Sequence, residues 1–531
     1  MRQPLCRSSL LAALQESRET WDVVVVGGGA TGLGAAVDAA SRGFRTLLLE
    51  QADFGNGTSS RSTKLIHGGF RYLKQGDIAL VRESLHERAL LLKNAPHLVR
   101  PLSFVVPTYQ WWERFYYGLG LKIYDLLAGT RRLGGTRILS RHSTLEHLEG
   151  LSEKGLLGGV SYYDAQFDDA RLAITLAQTA VNQGGKVLNY SRVLEFIRDE
   201  GRINGLVFED LESGSKYQIR ARSVINATGI FTDEIRRLDD PESWPVMQLS
   251  QGIHLVLDRD VLGGDSALMI PKTDDGRILF AIPWNGKVIL GTTDTPVSSA
   301  SLEPHPIESE IDFLLEHASR YLKKTISRRD VRSVFTGIRP LVSESDKTET
   351  AAISRKHRII VSRSGLVTIT GGKWTTYRKM AEDVVNRALE VSGLVERPCR
   401  TYRLQLHGGN LRKDSSWKWE NYGADAPLLD ELVKANPEWD MLIHPRLPIR
   451  AAEVIWAVRY EMARTVEDVL SRRTRALLLD ASASIEAAPD VARLMVRELD
   501  YDDEWIEAQI EAYSEIARHY SLDPTLKFEA I

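Results

Sequence analysis

Cysteine is nearly missing from this chain. Two occur among 531 residues, Cys6 and Cys399, too few for a disulfide framework or a cysteine-built zinc site, and this scarcity fits a reducing compartment. No run of about 18 apolar residues occurs, which excludes a bilayer-spanning helix. Neither sign of charge dominates: 68 basic against 71 acidic residues leave a formal net charge of −3. The electrostatic footprint of a nucleic-acid binder is therefore absent, and no nucleic-acid partner is expected. Internal repeats and low-complexity tracts are missing too. Residues 1–20 hold one short apolar patch, Leu10-Leu11-Ala12-Ala13-Leu14, too short for an export signal, so they read as a cytosolic leader. What is present is the composition of a soluble globular protein, 43% hydrophobic and 26% charged, in a chain beyond the roughly 250–300 residues one core supports. Two or three domains are expected.

Residues 21–72 carry the densest information. Val23-Val24-Val25-Val26 reads as a buried parallel strand, Gly27-Gly28-Gly29-Ala30-Thr31-Gly32 as a tight turn, and residues 33–42 as a helix. Gly27 allows the turn, Gly29 lets backbone approach a pyrophosphate at the helix N-terminus, and Gly32 brings helix and strand together. A second strand, residues 45–49, ends in Glu50, placed to take a ribose diol and to repel a 2′-phosphate. The whole unit predicts a dinucleotide site that excludes NADP.

The rest of the chain is organised around that unit. Residues 53–60 are turn formers, 75–94 and 168–182 have helical patterns, and 186–221 form a β-meander around two turns. Val224-Ile225-Asn226-Ala227-Thr228-Gly229 is a buried strand ending in small residues. Strand-rich residues 241–343 contain one helix, near 309–324. Residues 366–370 lead into Gly371-Gly372-Lys373 and a further helix. From about residue 398 the chain turns helical and charged; residues 450–479 show helix periodicity, with Thr465-Val466-Glu467-Asp468 as a capping box inside it. This order predicts an α/β protein: an interrupted Rossmann-like cofactor domain (21–95, 160–240, 345–395), an antiparallel-sheet substrate or cap domain (96–159, 241–344), and a helical C-terminal domain (398–531).

Taken together these residues resemble the FAD-dependent glycerol-3-phosphate dehydrogenases, within the wider D-amino-acid-oxidase-like flavoenzymes. The fingerprint from Val26 to Gly43 follows one family signature, and Gly371-Gly372-Lys373-Trp374-Thr375-Thr376-Tyr377-Arg378-Lys379-Met380-Ala381 follows another. Lys64-Leu65-Ile66-His67-Gly68-Gly69-Phe70-Arg71-Tyr72, Gly291-Thr292-Thr293-Asp294 and Gly337-Ile338-Arg339-Pro340-Leu341 look like family motifs as well. Leu33 departs from the pattern, where a smaller residue is usual. The tail carries no calcium-loop pattern of the mitochondrial kind.

The resemblance implies FAD as cofactor, glycerol 3-phosphate as substrate and ubiquinone or menaquinone as electron acceptor. It also implies cofactor contacts from Thr58, Ser59, Lys64, His67, Val193, Gly229, Gly371, Gly372 and Lys373, beside Gly27, Gly29, Gly32 and Glu50; no metal is implied. Arginines match phosphate oxygens with forked donors, so Arg71, Arg339 and Arg355 are the substrate-binding candidates, with Tyr72 as a hydroxyl donor. For Arg355, inside the basic run Arg355-Lys356-His357-Arg358, a surface ion pair competes evenly. Proton abstraction suits a histidine near its reference pKa; His254 is favoured, with His67 on the flavin and Lys373 a rival base.

Residues 111–127, rich in Trp, Tyr and Phe, read either as a membrane-interface segment or as cap-domain core. Arg472-Arg473-Thr474-Arg475 reads as a solvated or interdomain face. The implied location is cytoplasmic, peripheral on the inner face of the cell membrane, and a homodimer stays open. Two rivals to the dehydrogenase reading remain, an oxidase reducing oxygen to peroxide and a nucleotide-binding sensor without chemistry.

Overall fold

The structure is a computed structural model and describes residues 7–16, 19–74, 76–271, 273, 277–342, 357–410 and 417–526. Two sheets and a helical C-terminal unit make up the fold. The first sheet runs, edge to edge, Arg358–Val361, Val367–Thr370, Lys216–Asn226, Trp21–Val26, Thr46–Leu49 and Lys186–Leu188. Its central pairings are parallel, as expected for strands joined through helices packed on the sheet. Strand Lys216–Asn226 serves two roles: its first half closes the antiparallel meander with Arg202–Asp210, and its second half enters the parallel sheet.

The helix Ala30–Ser41 follows the first strand directly and is buried from Gly32 to Ser41. A Cβ on Gly32 would lie 1.9 Å from the Gly27 carbonyl oxygen, so only glycine admits this closeness of helix and strand. Helices Asp169–Asn182 and Tyr377–Ser392 pack against it. Asp168 caps the former through the Arg171 N–H, 3.0 Å.

The second sheet is antiparallel except where Ala267–Ile270 meets Val99–Thr108. It runs Thr295–Val297, Met247–Asp258, Lys287–Gly291, Leu279–Trp284, Ala267–Ile270, Val99–Thr108, Gly158–Phe167 and Leu65–Ile66, with Val331–Val342 also pairing Met247–Asp258. Strand Gly158–Phe167 pairs along its length with Val99–Thr108. The cofactor-domain segment expected from residue 160 therefore resumes only at the helix Asp169–Asn182. Leu65–Ile66, inside the first motif block, likewise belongs to this sheet. Chain segments cross between the sheets at both points.

One sequence expectation is corrected, and one segment gains a structure that its composition did not give. Within the leader, Arg7–Glu16 is a helix whose buried Arg7 pairs with Asp210 and donates to the Asn189 carbonyl. Residues 450–479 are not one helix. Helix Ala451–Glu461 stops at Met462, φ +57°; a π-helical turn covers Asp468–Arg473; Arg475, φ +65°, precedes the short helix Ala476–Leu479. The capping box inside it is real, with the Asp468 N–H on Thr465 Oγ1 and the Thr465 N–H on Asp468 Oδ2, 3.1 Å each. It starts a new element instead of decorating a continuous one.

The aromatic segment is the helix Glu113–Ala128, and the core reading holds for one face while the other is exposed. Tyr117, Leu121 and Tyr124 are buried in the cap core. Trp111, Phe115, Leu119 and Leu126 are 65–79% exposed.

Candidate active site

A cavity of about 450 Å³ is walled by both sheets, within the usual size range of small-molecule sites. At one end lie Gly27, Gly29, Glu50, Thr58, Ser59, Val193 and Gly229; at the other stand His67, Gly371, Gly372 and Lys373; from the cap come His254, Arg277 and Arg339. The helix Ala30–Ser41 points its N-terminus at this space. Its N-cap is Gly29, which brings no side chain of its own, and the Ala30 N–H is met by Ser59 Oγ at 2.9 Å. Thr58 Oγ1 donates to the Ile338 carbonyl, 2.7 Å, tying this loop to the strand that carries Arg339.

Glu50 stands at the end of the second strand. Its carboxylate accepts the N–H groups of Gly28 and of Ala52, the latter at 2.8 Å. Burial pushes its pKa up from the ordinary range, against the pull of those two N–H groups. The second glycine corner opposes the first. Gly372 has φ +79°, and a Cβ there would meet Met380 Sδ at 2.3 Å, so glycine is required for the turn into the helix Tyr377–Ser392. Trp374 Nε1 donates to the Ser59 carbonyl, 2.9 Å, joining the two corners across the cavity. A glycine approach to a helix N-terminus, an acid at the strand end and a facing glycine corner suit the pyrophosphate, ribose and ring portions of FAD.

Arg339 is fixed by four acceptors: Asp294 Oδ1 at 3.1 Å, Thr292 Oγ1 at 2.9 Å, the Thr293 carbonyl at 2.9 Å and the Gln251 carbonyl at 3.2 Å. The Gly-Thr-Thr-Asp motif is thus the seat of this arginine. The Lys373 ammonium lies 4.7 Å from the Tyr72 ring centroid, a cation–π placement that brings two candidates together.

His254 stacks on Phe335, centroids 4.7 Å apart, and its Nε2 lies 2.9 Å from Thr63 Oγ1. A pKa near the reference value was expected, and the structure overturns this. Burial first, then the charges of Lys64 and Arg339, drop it well below the ordinary value. The ring is neutral at physiological pH.

Other candidates fall elsewhere. Gly32 does its work in helix–strand packing and does not line the cavity. Lys64 does not reach it either: its ammonium is buried behind the loop on Asp169 Oδ2 and the Ser60 carbonyl, both at 2.7 Å. Arg71 begins a turn of helix at the cavity rim, Phe70–Lys74, and its side chain lies outside the described residues, as does Arg355 entirely. Arg277 was missed. It enters the cavity wall from the hairpin leading into Leu279–Trp284. The signal in the sequence was a cation directly after the turn formers Asp274-Asp275-Gly276.

Comparison with known proteins agrees with this geometry. Residues 22–378 match the FAD dependent oxidoreductase family, and residues 367–506 match the C-terminal domain of alpha-glycerophosphate oxidase. The mitochondrial glycerol-3-phosphate dehydrogenases of Macaca fascicularis and Homo sapiens are each 40% identical, over 96% of this chain and 75% of theirs. Among solved structures, glycerol-3-phosphate dehydrogenase from Bacillus halodurans complexed with FAD aligns with TM-score 0.77 and 30% identity, over 99% of this chain and 100% of that one. The L-alpha-glycerophosphate oxidase of Mycoplasma pneumoniae, at TM-score 0.55 and 15% identity over 72% of this chain and 97% of its own, shares the fold. With the cavity built as described, the chain belongs to the FAD-dependent glycerol-3-phosphate dehydrogenase family of oxidoreductases.

Proposed function

We propose that the protein oxidises sn-glycerol 3-phosphate to dihydroxyacetone phosphate and passes the electrons to a membrane quinone. The observation that carries this reading is the meeting of Arg339, Arg277, Lys373, Tyr72 and His254 in one cavity beside the Gly371-Gly372 corner. Bound FAD supplies the hydride acceptor. The chain's own groups supply position and charge. Arg339, seated by Asp294 and the two threonines, presents a fixed guanidinium to the substrate phosphate, with Arg277 as a second cation. Arg71 and Arg355 are proposed as further phosphate-binding cations, although the Arg71 side chain and all of Arg355 lie outside the described residues.

His254 takes the hydroxyl proton in this scheme. Its ring is already neutral, so it can accept a proton. The cations that hold its proton affinity down, Lys64 and Arg339, are offset once a dianionic substrate enters. His67, whose N–H lies 3.3 Å from Thr375 Oγ1, is set on the flavin side, and Lys373 stabilises negative charge there.

Among the described residues no helix is long and apolar enough to cross a membrane, yet quinone resides in the bilayer. The exposed face of Glu113–Ala128 is the surface proposed to dock there, placing the protein on the membrane as a peripheral component of the cytoplasm. A second reading is favoured by the match to the oxidase C-terminal domain: reduction of oxygen to peroxide. Oxygen uptake with glycerol 3-phosphate and no added quinone separates the two.

The test of the substrate reading is Arg339→Ala together with His254→Gln. Arg339→Ala should lower kcat/KM for glycerol 3-phosphate by about 30- to 1000-fold, the worth of roughly 2–4 kcal/mol for a charged hydrogen bond in a desolvated site, with flavin content unchanged. His254→Gln should lower kcat with little change in KM, and remove the acidic limb of the kcat–pH profile. An unaltered kcat/KM in the first variant removes Arg339 from the substrate site. An unaltered profile in the second passes the role of base to Lys373 or His67.

A further inference from the structure

Of the two faces expected for the C-terminal arginines, solvated or interdomain, the structure shows the interdomain one: they are buried, and they end on the loop that walls the cofactor cavity. Residues 53–60, Asp-Phe-Gly-Asn-Gly-Thr-Ser-Ser, wall the cavity through Gly55, Asn56, Gly57, Thr58 and Ser59. Such a loop is costly to order, because every residue gives up backbone freedom, and its glycines add to that cost. On its far side it is held from another part of the chain. Arg472 donates from Nε to Asp53 Oδ2 at 2.5 Å and from Nη1 to Asn56 Oδ1 at 3.1 Å. Arg473 reaches both oxygens of Asp53, at 2.5 and 2.8 Å. Arg475 donates to the Ser60 carbonyl at 2.8 Å and to Asp169 Oδ1 at 3.1 Å.

Each arginine in this network faces at least one buried carboxylate. Burial alone would raise the Asp53 carboxyl, but Arg473 and Arg472 overcome it and hold the group at about 2. Behind the arginines stand Glu461, Glu467 and Asp468. The broken helix geometry now has a purpose. The π-helical turn Asp468–Arg473 and the left-handed Arg475 aim three neighbouring side chains at one loop, which a continuous helix, turning about 100° per residue, cannot do. Buried ion pairs are poor sources of net stability, and their best-attested use is to fix one geometry.

We propose that the helical C-terminal unit is a positioning element for FAD: Arg472, Arg473 and Arg475 preorganise the loop 53–60 and thereby set how tightly the cofactor is kept. The arginines do not line the cavity; they act through Asp53, Asn56 and the Ser60 carbonyl. The inference rests on the cofactor alone and is independent of the substrate assigned above.

The experiment measures FAD release from holoenzyme on dilution, by the rise of free-flavin fluorescence, for Arg475→Met and Asn56→Ala. Both should raise the FAD dissociation constant about 10- to 100-fold, one charge-assisted bond to the loop being lost in each. At saturating FAD the KM of Arg475→Met for glycerol 3-phosphate should stay within about twofold of the parent, since Arg475 lies outside the cavity lining. Arg459→Met, which breaks the outer pair with Glu498 in the same unit, serves as comparison and should leave FAD affinity at the parent value. Parental FAD affinity in both loop-directed variants overturns the proposal. So does an equal loosening in Arg459→Met, which would show general weakening of the unit. Should Arg475→Met not fold, Arg475→Lys takes its place, keeping the buried charge beside Asp169 while losing the reach to the Ser60 carbonyl.

Discussion

His97 shows how far one buried side chain can bias the protein's response to pH. It lies just ahead of the strand Val99–Thr108, 7% exposed, with no hydrogen-bond partner for Nδ1 among the described residues. Burial first, then the charges of Arg171 and His407, lower its pKa to about 4, against a weaker pull from Asp425. The folded value lies below the unfolded value of about 6.5, so between them the unfolded chain binds more protons. Stability from this group is complete above about pH 6.5 and falls as pH drops towards 4, by about 3 kcal/mol in all, at roughly 1.4 kcal/mol per pH unit. Replacing His97 by Gln should shrink the difference in unfolding free energy between pH 7 and pH 4.5 by about 2–3 kcal/mol, measured by urea titration with FAD saturating. Equal differences in parent and variant would place the acid sensitivity elsewhere. The same residue scale shows where sequence reading stops. The placing of Gly27, Gly29, Gly32 and Glu50 in one strand–turn–helix–strand unit was legible because it follows from local spacing. The engagement of Lys64 was not, because Asp169 lies 105 positions away; nor was the depressed pKa of His254, which depends on the cap sheet closing over it.

Among elements, the helix Glu113–Ala128 divides most sharply. Its inward face carries Tyr124, whose hydroxyl accepts the Gly68 N–H at 2.7 Å and donates to Asp164, so it braces the His67-Gly68-Gly69 turn. Its outward face is apolar and uncovered. The segment is apolar on both faces, so the sequence left core and interface open as alternatives; tertiary packing buries one face and leaves the other exposed. Interfacial Trp and Tyr favour the headgroup level, and buried apolar area adds roughly 25 cal/mol per Å². Attachment through this face should therefore resist high salt and yield to detergent. Trp111→Ser, Trp112→Ser and Phe115→Ser combined should leave the protein in the supernatant of a liposome sedimentation and slow quinone reduction, while soluble dyes are reduced at the parental rate. Co-sedimentation equal to the parent's would move docking to another surface. The broken helix at 450–479 is the converse case. Its apolar spacing reads as continuous because each fragment separately faces a core, and only the capping box at Thr465 signalled the restart.

At the scale of the whole molecule, the cavity lies between the two sheets, and the third unit reaches it only through a loop. The first sheet brings the glycine corners, the second brings the arginines and His254, and the C-terminal unit holds the loop 53–60 from behind. By linkage, FAD stabilises every unit that is coupled to its site. The flavin should be non-covalently held: Cys399 lies with Arg378 and Thr401, away from the cavity lining, and acid precipitation should leave yellow flavin in the supernatant. Flavin retained in the pellet would point to a covalent bond, with His67 as the first attachment site to examine. Ligand at a thousandfold excess over its Kd adds about 4 kcal/mol to the state that binds it. If the units are coupled through the Arg472–Asp53 and Arg475–Ser60 contacts, that gain is shared, and calorimetry should show one transition moving upward as a whole with FAD concentration. A C-terminal transition that stays in place while the rest moves would mean the arginines hold the loop without feeling the cofactor. Asn56→Ala should then split the parental transition no further, whereas under coupling it should begin to separate the two.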